Sequence, residues 1–449
     1  AYAAINTLRL DDNRPHILRT HDGGKTWTEI VRGIPDGQTI NVVREDPVRK
    51  GLLYAGSERQ GYVSFDDGDN RQSLRVNMPA TSIRDLIVKG DDLAVGTHGR
   101  GFWILDNINP LRQLRTSSET RLYEPQTAWR VRWNLNSDTP LPPDEANQEN
   151  PPDGAALDYY LGANATNVEL EIKDPSGRVV RTYRSSDVMP AIKDTNNVPA
   201  YWIRRPQPLS NSAGAHRFLW DMHYTPVPGV GPDYPIAANY MNTATVPTSP
   251  WAHPGRYKVT LRVDGKEYSQ SFELRIDPRV RATDDELKRQ FDLSMRLYDE
   301  RLELEPASQQ VNSLATQLDA ARKTASPAVA TQIDAFLAKL NALAGTPDRK
   351  PGAQLSLGVV DRVATMLDRL QEADIAPTSV TESTSREVIK QAEDTASAWR
   401  VFAKDDIPSI QNLFKQNNLP PLKLTGSQVR YKLVGDESDD DDDDPRAKP

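Results

Sequence analysis

The sequence contains no cysteine. This absence excludes disulfide bonds, thiolate metal sites and a cysteine nucleophile. No run of about 18 consecutive apolar residues occurs, so we predict no helix that spans a membrane. The net charge of −8 lacks the excess of lysine and arginine that nucleic-acid binding requires, so we expect no nucleic-acid partner. The glycine-rich phosphate loop and the Gly-x-Ser-x-Gly motif of serine hydrolases are missing as well.

Apolar side chains are scarce too. They make up 37% of the 449 residues, whereas proline is frequent, with 34 copies. A chain of this length predicts roughly two to four domains. Its composition favours several small domains joined by proline-rich linkers over one large hydrophobic core.

A sequence repeat indicates the fold of the first part of the chain. The segments Ala55–Asp66 and Val95–Asp106 begin 40 residues apart (95 − 55). Each reads as a short apolar strand, a glycine-flanked turn and an aromatic strand that ends in aspartate. A period of about 40 residues with several short strands per unit is typical of β-propeller blades.

A second motif overlays this repeat. Thr20–Trp27 follows the Asp-box pattern Ser/Thr-x-Asp-x-Gly-x-x-Trp, and Ser64–Arg71 follows it with Arg71 in place of the tryptophan. We expect the aspartate to accept backbone N–H groups in a hairpin turn, the glycine to adopt positive φ and the tryptophan to be buried between blades. Arg71 predicts a looser second box. The residues assigned to these structural boxes are Thr20, Asp22, Gly24, Trp27, Ser64, Asp66 and Gly68.

Residues 1–109 hold too few strands for a closed ring. We predict roughly two or three terminal blades there, whereas a propeller usually has about four to eight. Because open blade faces invite aggregation, we expect a missing N-terminal propeller portion, from the same protein or from another chain, to complete the ring. Ala1–Ile5 already reads as a strand, which predicts that the true beginning of the protein lies upstream.

These residues resemble a known family. Thr20–Trp27, Leu53–Gly56 and Val95–Asp106 are similar to the bacterial Asp-box (BNR-repeat) proteins, which are described as glycosyl-hydrolase-like or sortilin-like. Gly214–Asp221 and Pro254–Val259 resemble the C-terminal portion of the same long proteins. The resemblance implies an exported bacterial protein with an extracellular or periplasmic location. The cysteine-rich module of eukaryotic sortilins is absent, and the aspartate pair of xyloglucanase-type enzymes has no match.

The rest of the chain predicts three further regions and a linker. Val168–Ile172 alternates with period two, as a half-buried strand does. Thr283–Glu286 has the pattern of a capping box, and helical periodicity follows it, with Pro306 expected to separate two helices. The fold class is therefore multidomain, mainly β and then α. The regions are a Pro-rich linker over 110–155, an immunoglobulin-like β-sandwich over 156–280, a helical bundle over 283–420 and an acidic disordered tail over 421–449.

Candidate sites for chemistry are few. His216, Asp221, His223 and His253 lie close in sequence, but strand alternation points His216 and His223 to opposite faces, so we predict no metal site. We predict no cofactor and assign no catalytic residue. The turns that follow two propeller strands are the best candidates for a ligand-facing rim. This candidate rim consists of Glu58, Arg59, His98 and Arg100.

The expected function is a binding or scaffolding role, as the non-catalytic C-terminal part of an exported Asp-box propeller protein, with a carbohydrate or peptide as ligand. One alternative is part of a polysaccharide-active glycoside hydrolase whose catalytic carboxylates lie in missing N-terminal blades. A second alternative is a sortilin-like peptide-binding receptor. We expect no hydrolase activity from these 449 residues alone, because no facing pair of carboxylates can be assigned.

Overall fold

The structure is a computed structural model that describes residues 1–114, 119–132, 154–188, 199–203, 208–231 and 247–424. The chain divides into two compact units. The first is formed mainly by Ala1–Thr225 and Ala252–Val280. The second is formed by the residues from Arg281 onward, with short segments of the loop between residues 226 and 251.

Three antiparallel sheets follow one another at the start of the first unit, and we call them blades 1, 2 and 3. In each sheet the strands pair in sequence order, which is the up-and-down arrangement of a propeller blade. The three sheets are therefore consistent with a partial propeller. Blade 1 contains β1 (Tyr2–Ala4), β2 (Ile17–Arg19) and β3 (Thr28–Glu29). Blade 2 contains β4 (Ile40–Glu45), β5 (Leu53–Ser57), β6 (Gly61–Ser64) and β7 (Gln72–Ser73). Blade 3 contains β8 (Ser82–Lys89), β9 (Asp92–His98) and β10 (Phe102–Leu105).

The blades pack face to face through two apolar clusters. Side chains alternate between the two faces of a strand, so Ala55 of β5 points toward blade 1 and the adjacent Tyr54 points toward blade 3. The cluster between blades 1 and 2 includes Ile17, Ile30, Val43, Ala55 and Tyr62. The cluster between blades 2 and 3 includes Tyr54, Val63, Ile83, Leu86 and Val95. Both faces of blade 2 are therefore buried.

Blades 2 and 3 share one irregularity and differ in another. Their first strands carry the same register shift, between Ile40 and Val42 in β4 and between Ile83 and Asp85 in β8. The turn between the next two strands is one residue longer in blade 3, because Gly56 pairs with Gly61 while Gly96 pairs with Phe102. The 40-residue offset of the sequence repeat thus becomes 41 after this turn.

Two further sheets complete the first unit. Rings from both sheets meet, with Trp220 of the smaller sheet 5.4 Å from Tyr257 and 6.1 Å from Phe272 of the larger one, between ring centroids. An immunoglobulin-like topology stays a prediction. One pair of strands in the larger sheet is parallel, between Ala128–Arg130 and Leu274–Ile276. The three-stranded sheet has the order β11 (Arg121–Leu122), β13 (Ala155–Leu161), β16 (Gly214–Trp220). The five-stranded sheet has the order β12 (Ala128–Arg130), β18 (Lys266–Ile276), β17 (Gly255–Val263), β14 (Val168–Lys173), β15 (Val179–Arg184).

The predicted linker is only partly described. Its first residues form the short helix α1 (Asn109–Gln113) and then the strands β11 and β12. Residues 133–153 of the predicted linker lie outside the described residues, as do residues 425–449 of the predicted acidic tail. The buried Asp158 of β13 connects the three-stranded sheet to blade 3. Its carboxylate accepts hydrogen bonds from Arg217 of the same sheet at 2.8 Å and from Asn107, which follows β10 of blade 3, at 3.0 Å.

The second unit is helical. The capping box is confirmed: Thr283 Oγ1 accepts from the Glu286 N–H, and the Glu286 carboxylate accepts from the Thr283 N–H. The predicted break at Pro306 is wrong, since one helix runs through it. Burial of residues on both sides of Pro306 outweighs the roughly 3 kcal/mol that an interior proline costs. The helices are α2 (Asp284–Arg322), α3 (Pro327–Leu343), α4 (Gly358–Gln371), α5 (Ser379–Val401), which continues through a π-helical turn over Phe402–Asp406, and α6 (Ile407–Gln416). Within the described ranges no helix is both long and apolar enough to cross a membrane.

Candidate functional site

The first Asp box is a closed hydrogen-bonded turn. Thr20 Oγ1 donates to Asp22 Oδ1 at 2.8 Å and accepts from the Gly24 N–H at 3.0 Å. Asp22 also accepts from the Thr26 N–H at 2.9 Å and the Thr26 hydroxyl at 2.7 Å. Gly24 has φ +89°, as the sequence predicts. The aspartate therefore serves the turn and leaves no free carboxylate for chemistry.

The second box repeats this geometry almost atom for atom. Ser64 Oγ donates to Asp66 Oδ1 at 2.8 Å and accepts from the Gly68 N–H at 2.9 Å. Asp66 accepts from the Asn70 N–H at 2.9 Å and from Asn70 Nδ2 at 2.7 Å. The prediction of a looser second box is therefore wrong, because these bonds lie within the turn and do not involve its last residue.

The last residue of each box has a different environment from the one expected. Trp27 is 45% exposed, so the prediction that it is buried between blades is wrong, whereas Arg71 is only 6% exposed. Both side chains donate to the glycine carbonyl of their own box, Trp27 Nε1 to Gly24 O at 3.1 Å and Arg71 Nη1 to Gly68 O at 2.9 Å. Arg71 Nη1 also donates to the carbonyl oxygen of Ile30, which belongs to the preceding blade. Trp27 points to the corresponding side of blade 1, where no described blade lies.

The predicted rim lies at the end of the blades opposite the Asp boxes. Its two turns are closed by the same type of hydrogen bond. Ser57 Oγ accepts from the Arg59 N–H at 3.1 Å in blade 2, and Thr97 Oγ1 accepts from the Arg100 N–H at 3.2 Å in blade 3. A hydroxyl at the strand end thus fixes the backbone of each arginine.

Glu58 is the centre of the rim. Its Oε1 accepts from Asn41 Nδ2 at 3.1 Å and from Arg84 Nη1 at 2.9 Å. Asn41 and Arg84 are equivalent residues, since each occupies the register shift in the first strand of its blade. Asn41 Oδ1 in turn accepts from Asn6 Nδ2, which follows β1 of blade 1, at 2.6 Å. One chain of hydrogen bonds therefore crosses all three blades at this end.

The electrostatic surroundings keep Glu58 ionised. Partial burial acts to raise the pKa of its carboxyl group. The nearby hydroxyl of Ser82 and the amide of Asn41 oppose that effect. The charges of Arg84 and His98 act in the same direction, and the net result is a pKa below the usual value of glutamate.

The remaining rim residues are exposed cations or potential cations. Arg59, His98 and Arg100 all have exposed side chains at the turns. An arginine in such a turn is expected to pair with a carboxylate, but Arg59 and Arg100 form no ion pair with any residue that the structure describes. We call the set Asn41, Glu58, Arg59, Arg84, His98 and Arg100 the rim.

Four of these six residues were predicted from the sequence. Asn41 and Arg84 were not, since each becomes a rim residue only through a register shift in its strand. The sequence carries one usable signal, polar residues that interrupt an apolar strand pattern: Asn41 alone within Ile40–Val43, and Arg84 with Asp85 within Ile83–Leu86.

The histidines considered as metal ligands are not assembled into a site. His216 Nε2 bonds to the carbonyl oxygen of Ser212 at 2.7 Å, and His223 Nδ1 bonds to that of Asp221 at 2.8 Å. Burial lowers the pKa of His223. Within the described ranges, no three histidine, aspartate or glutamate side chains are grouped so as to hold a metal ion.

A concave surface lies on the five-stranded sheet. It has a volume of about 280 Å³, and its lining residues are polar or charged. Only one carboxylate, that of Glu124, contributes to it. The lining residues are Glu124, Arg256, Lys258, Ser269, Gln270 and Ser271.

Comparison with known proteins gives no family. No model of a protein family matches the chain. No curated protein matches it either. Among solved structures, the extracellular domain of a hybrid two-component system from B. thetaiotaomicron overlaps 59% of this chain and 29% of its own, at 8% identity and a TM-score of 0.18. YCF48 bound to D1 peptide overlaps 57% of this chain and 60% of its own, at 12% identity and a TM-score of 0.17. The chain thus spans less than two thirds of either protein, and both overlaps are too slight to identify its function.

Proposed function

We propose that the chain is the non-catalytic, ligand-binding part of an exported Asp-box propeller protein, located outside the cell or in the periplasm. In this proposal blades 1 to 3 belong to the propeller, and the rim binds a carbohydrate that carries carboxylate groups. The remaining sheets, with an immunoglobulin-like arrangement, and the helical unit act as scaffold.

The charge arrangement of the rim is the observation that supports this proposal. Glu58 and Arg84 neutralise one another at 2.9 Å. Arg59 and Arg100 add two exposed guanidinium groups with no ion pair among the described residues. A guanidinium group recognises a carboxylate through two parallel hydrogen bonds. The rim therefore presents positively charged side chains, and hydrogen bonds to the hydroxyls of the turns fix the backbone that carries them.

The state of Glu58 favours binding over hydrolysis. A glycosidase needs a carboxylic acid with a raised pKa and a second carboxylate roughly 5 to 10 Å away. The lowered pKa of Glu58 keeps it ionised, so it cannot donate a proton near neutral pH. It is also the single carboxylate among the rim residues as we define them.

A titration of the 449-residue chain with polygalacturonate, followed by calorimetry, tests the proposal. Dextran serves as the uncharged carbohydrate. We expect binding of polygalacturonate only, weakened by salt. Arg59→Gln and Arg100→Gln should each lower the affinity about tenfold, since each removes a charge-assisted hydrogen bond.

Arg32→Gln is the matched control, because Arg32 is exposed and lies beside Arg71 at the opposite end of the blades. The proposal would be contradicted if dextran bound as tightly as polygalacturonate, or if Arg32→Gln lowered the affinity as much as Arg59→Gln and Arg100→Gln. Binding of a peptide with a free C-terminal carboxylate, without binding of polygalacturonate, would favour the peptide-receptor alternative. Release of reducing sugar by this chain would exclude a non-catalytic role.

A further inference from the structure

Part of the outer face of blade 3, which points away from blade 2, is apolar and exposed. Ile87, Ala94 and Ile104 form a row across the three strands of this face, and Phe102 lies opposite Gly96 next to them. The exposed fractions are 58% for Ile87, 87% for Phe102 and 61% for Ile104. We define Ile87, Ala94, Phe102 and Ile104 as the outer face of blade 3.

The positions equivalent to Ala94 and Ile104 are buried in blade 2, whereas Ile87 corresponds to the exposed Arg44. Ala55 and Val95 occupy the same place in their blades, so Ala94 corresponds to Tyr54 and Ile104 to Val63. Tyr54 is 0% exposed and Val63 is 3% exposed, because blade 3 covers them. The outer face of blade 3 therefore has the position of an interface that is filled one blade earlier.

The glycines of the two blades support this equivalence. A Cβ atom on Gly56 would lie 2.4 Å from Ile83 Cγ2, so the absence of a side chain makes room for an isoleucine of the next blade. Gly96 occupies the same position in blade 3, and there a Cβ would meet only Asp85 O and the ring of Phe102, both at 3.7 Å or more. In blade 3 the ring of Phe102, from the same blade, lies over this position, and no described side chain of a following blade occupies it.

The face of blade 1 that points away from blade 2 also carries an exposed apolar side chain. Arg71, the last residue of the second Asp box, reaches the preceding blade, and Trp27 has the same place in the first box. Its indole is 45% exposed. An exposed tryptophan on one side and an exposed apolar sheet on the other are the two surfaces that further blades would cover.

We propose that the outer face of blade 3 is the docking surface for a further antiparallel blade, which is not formed by residues 1–449. This inference rests on the propeller assignment in the proposed function. Both filled interfaces join unlike faces, since the outward face of one blade meets the inward face of the next. Two copies of the chain that met through the same outer face would place like faces together. A further blade, and not a second copy, is therefore the occupant that continues the existing interfaces.

Photo-crosslinking in the cells that make the protein tests the docking surface. Benzoylphenylalanine replaces Phe102, and the cross-linked peptide is sequenced by mass spectrometry. We expect an adduct with a peptide of alternating apolar pattern from outside residues 1–449. The control is the same residue at Val380, which is 71% exposed on α5 and should give no such adduct.

A second variant separates docking from misfolding. Ile104→Asp should abolish the Phe102 adduct but leave the melting temperature of the 449-residue chain unchanged, because Ile104 is exposed in that chain. No adduct, an adduct within a second copy of residues 1–449, or an adduct that survives Ile104→Asp would overturn the proposal. Polygalacturonate binding is measured on the isolated chain, so a failed cross-link leaves the ligand proposal standing, and failed binding leaves the docking proposal standing.

Discussion

The two Asp boxes have the same hydrogen bonds but a different environment for their last residue. Thr20–Thr26 and Ser64–Asn70 match within 0.1 Å in the four bonds that close each turn. Trp27 nevertheless lies at the surface, whereas Arg71 is buried against blade 1. The box is therefore a local turn that needs no tryptophan, and the burial of Arg71 depends on its contact with blade 1.

The largest expected difference between the boxes comes from their glycines. Gly24→Ala should cost about 1–2 kcal/mol, because both positions have φ near +90° and alanine is strained there. Gly68→Ala should cost about 1–3 kcal/mol more, since its Cβ would lie 2.5 Å from Ile30 Cδ1, while that of Gly24 meets nothing closer than 3.8 Å. Urea unfolding of the two variants measures the difference, and equal midpoints would remove the distinction between the boxes.

Replacement of the last residue of the second box should cause the next largest loss of stability. Arg71→Ala is expected to destabilise the chain by about 2 kcal/mol, because the carbonyls of Ile30 and Gly68 lose a buried donor. Burial lowers the pKa of Arg71 to about 10, and this cost of burying the charge limits the loss. Unfolding in urea provides the measurement. An unchanged midpoint would mean that the buried arginine contributes nothing to the packing of blade 2 on blade 1.

The corresponding change in the first box should be small. Trp27→Ala is expected to cost less than about 1 kcal/mol in this chain, since the ring is half-exposed and makes one hydrogen bond to its own turn. The same unfolding experiment applies. A loss as large as that of Arg71→Ala would show that Trp27 is packed in solution, and would break the comparison.

The smallest expected effect is a change in the pKa of Asp22. The N–H and hydroxyl of Thr26, followed by the hydroxyl of Thr20, lower the pKa of Asp22 to about 2. A lowered pKa in the folded state means that the box contributes stability above the ordinary aspartate pKa, and loses it as the pH falls through about 2. Thr26→Val should raise the pKa of Asp22, measured from its carboxyl carbon shift by NMR. The same pKa in both proteins would exclude the Thr26 hydroxyl as a cause.

Features formed by residues close in sequence could be predicted from the sequence, whereas features that depend on contacts between strands or blades could not. The Asp-box turns and the capping box at Thr283 depend on residues within four positions of each other, so spacing alone is enough. The burial of Arg71 depends on Ile30 of another blade, and the rim role of Arg84 depends on a register shift in β8. Pro306 misled for the same reason, because packing along α2 outweighs a local preference.

The chain of hydrogen bonds from Asn6 through Asn41 and Glu58 to Arg84 has a mechanical consequence. A shear movement between blades 2 and 3 must break the bond from Arg84 to the Glu58 carboxylate, and one between blades 1 and 2 must break the bond from Asn6 to Asn41, so these bonds stiffen this end of the blades. A bound anion that drew Arg84 away would loosen the contact between blades 2 and 3. Occupancy of the rim and rigidity of the stack are thus coupled through a single side chain, and hydrogen exchange at the Ile83 amide would follow both.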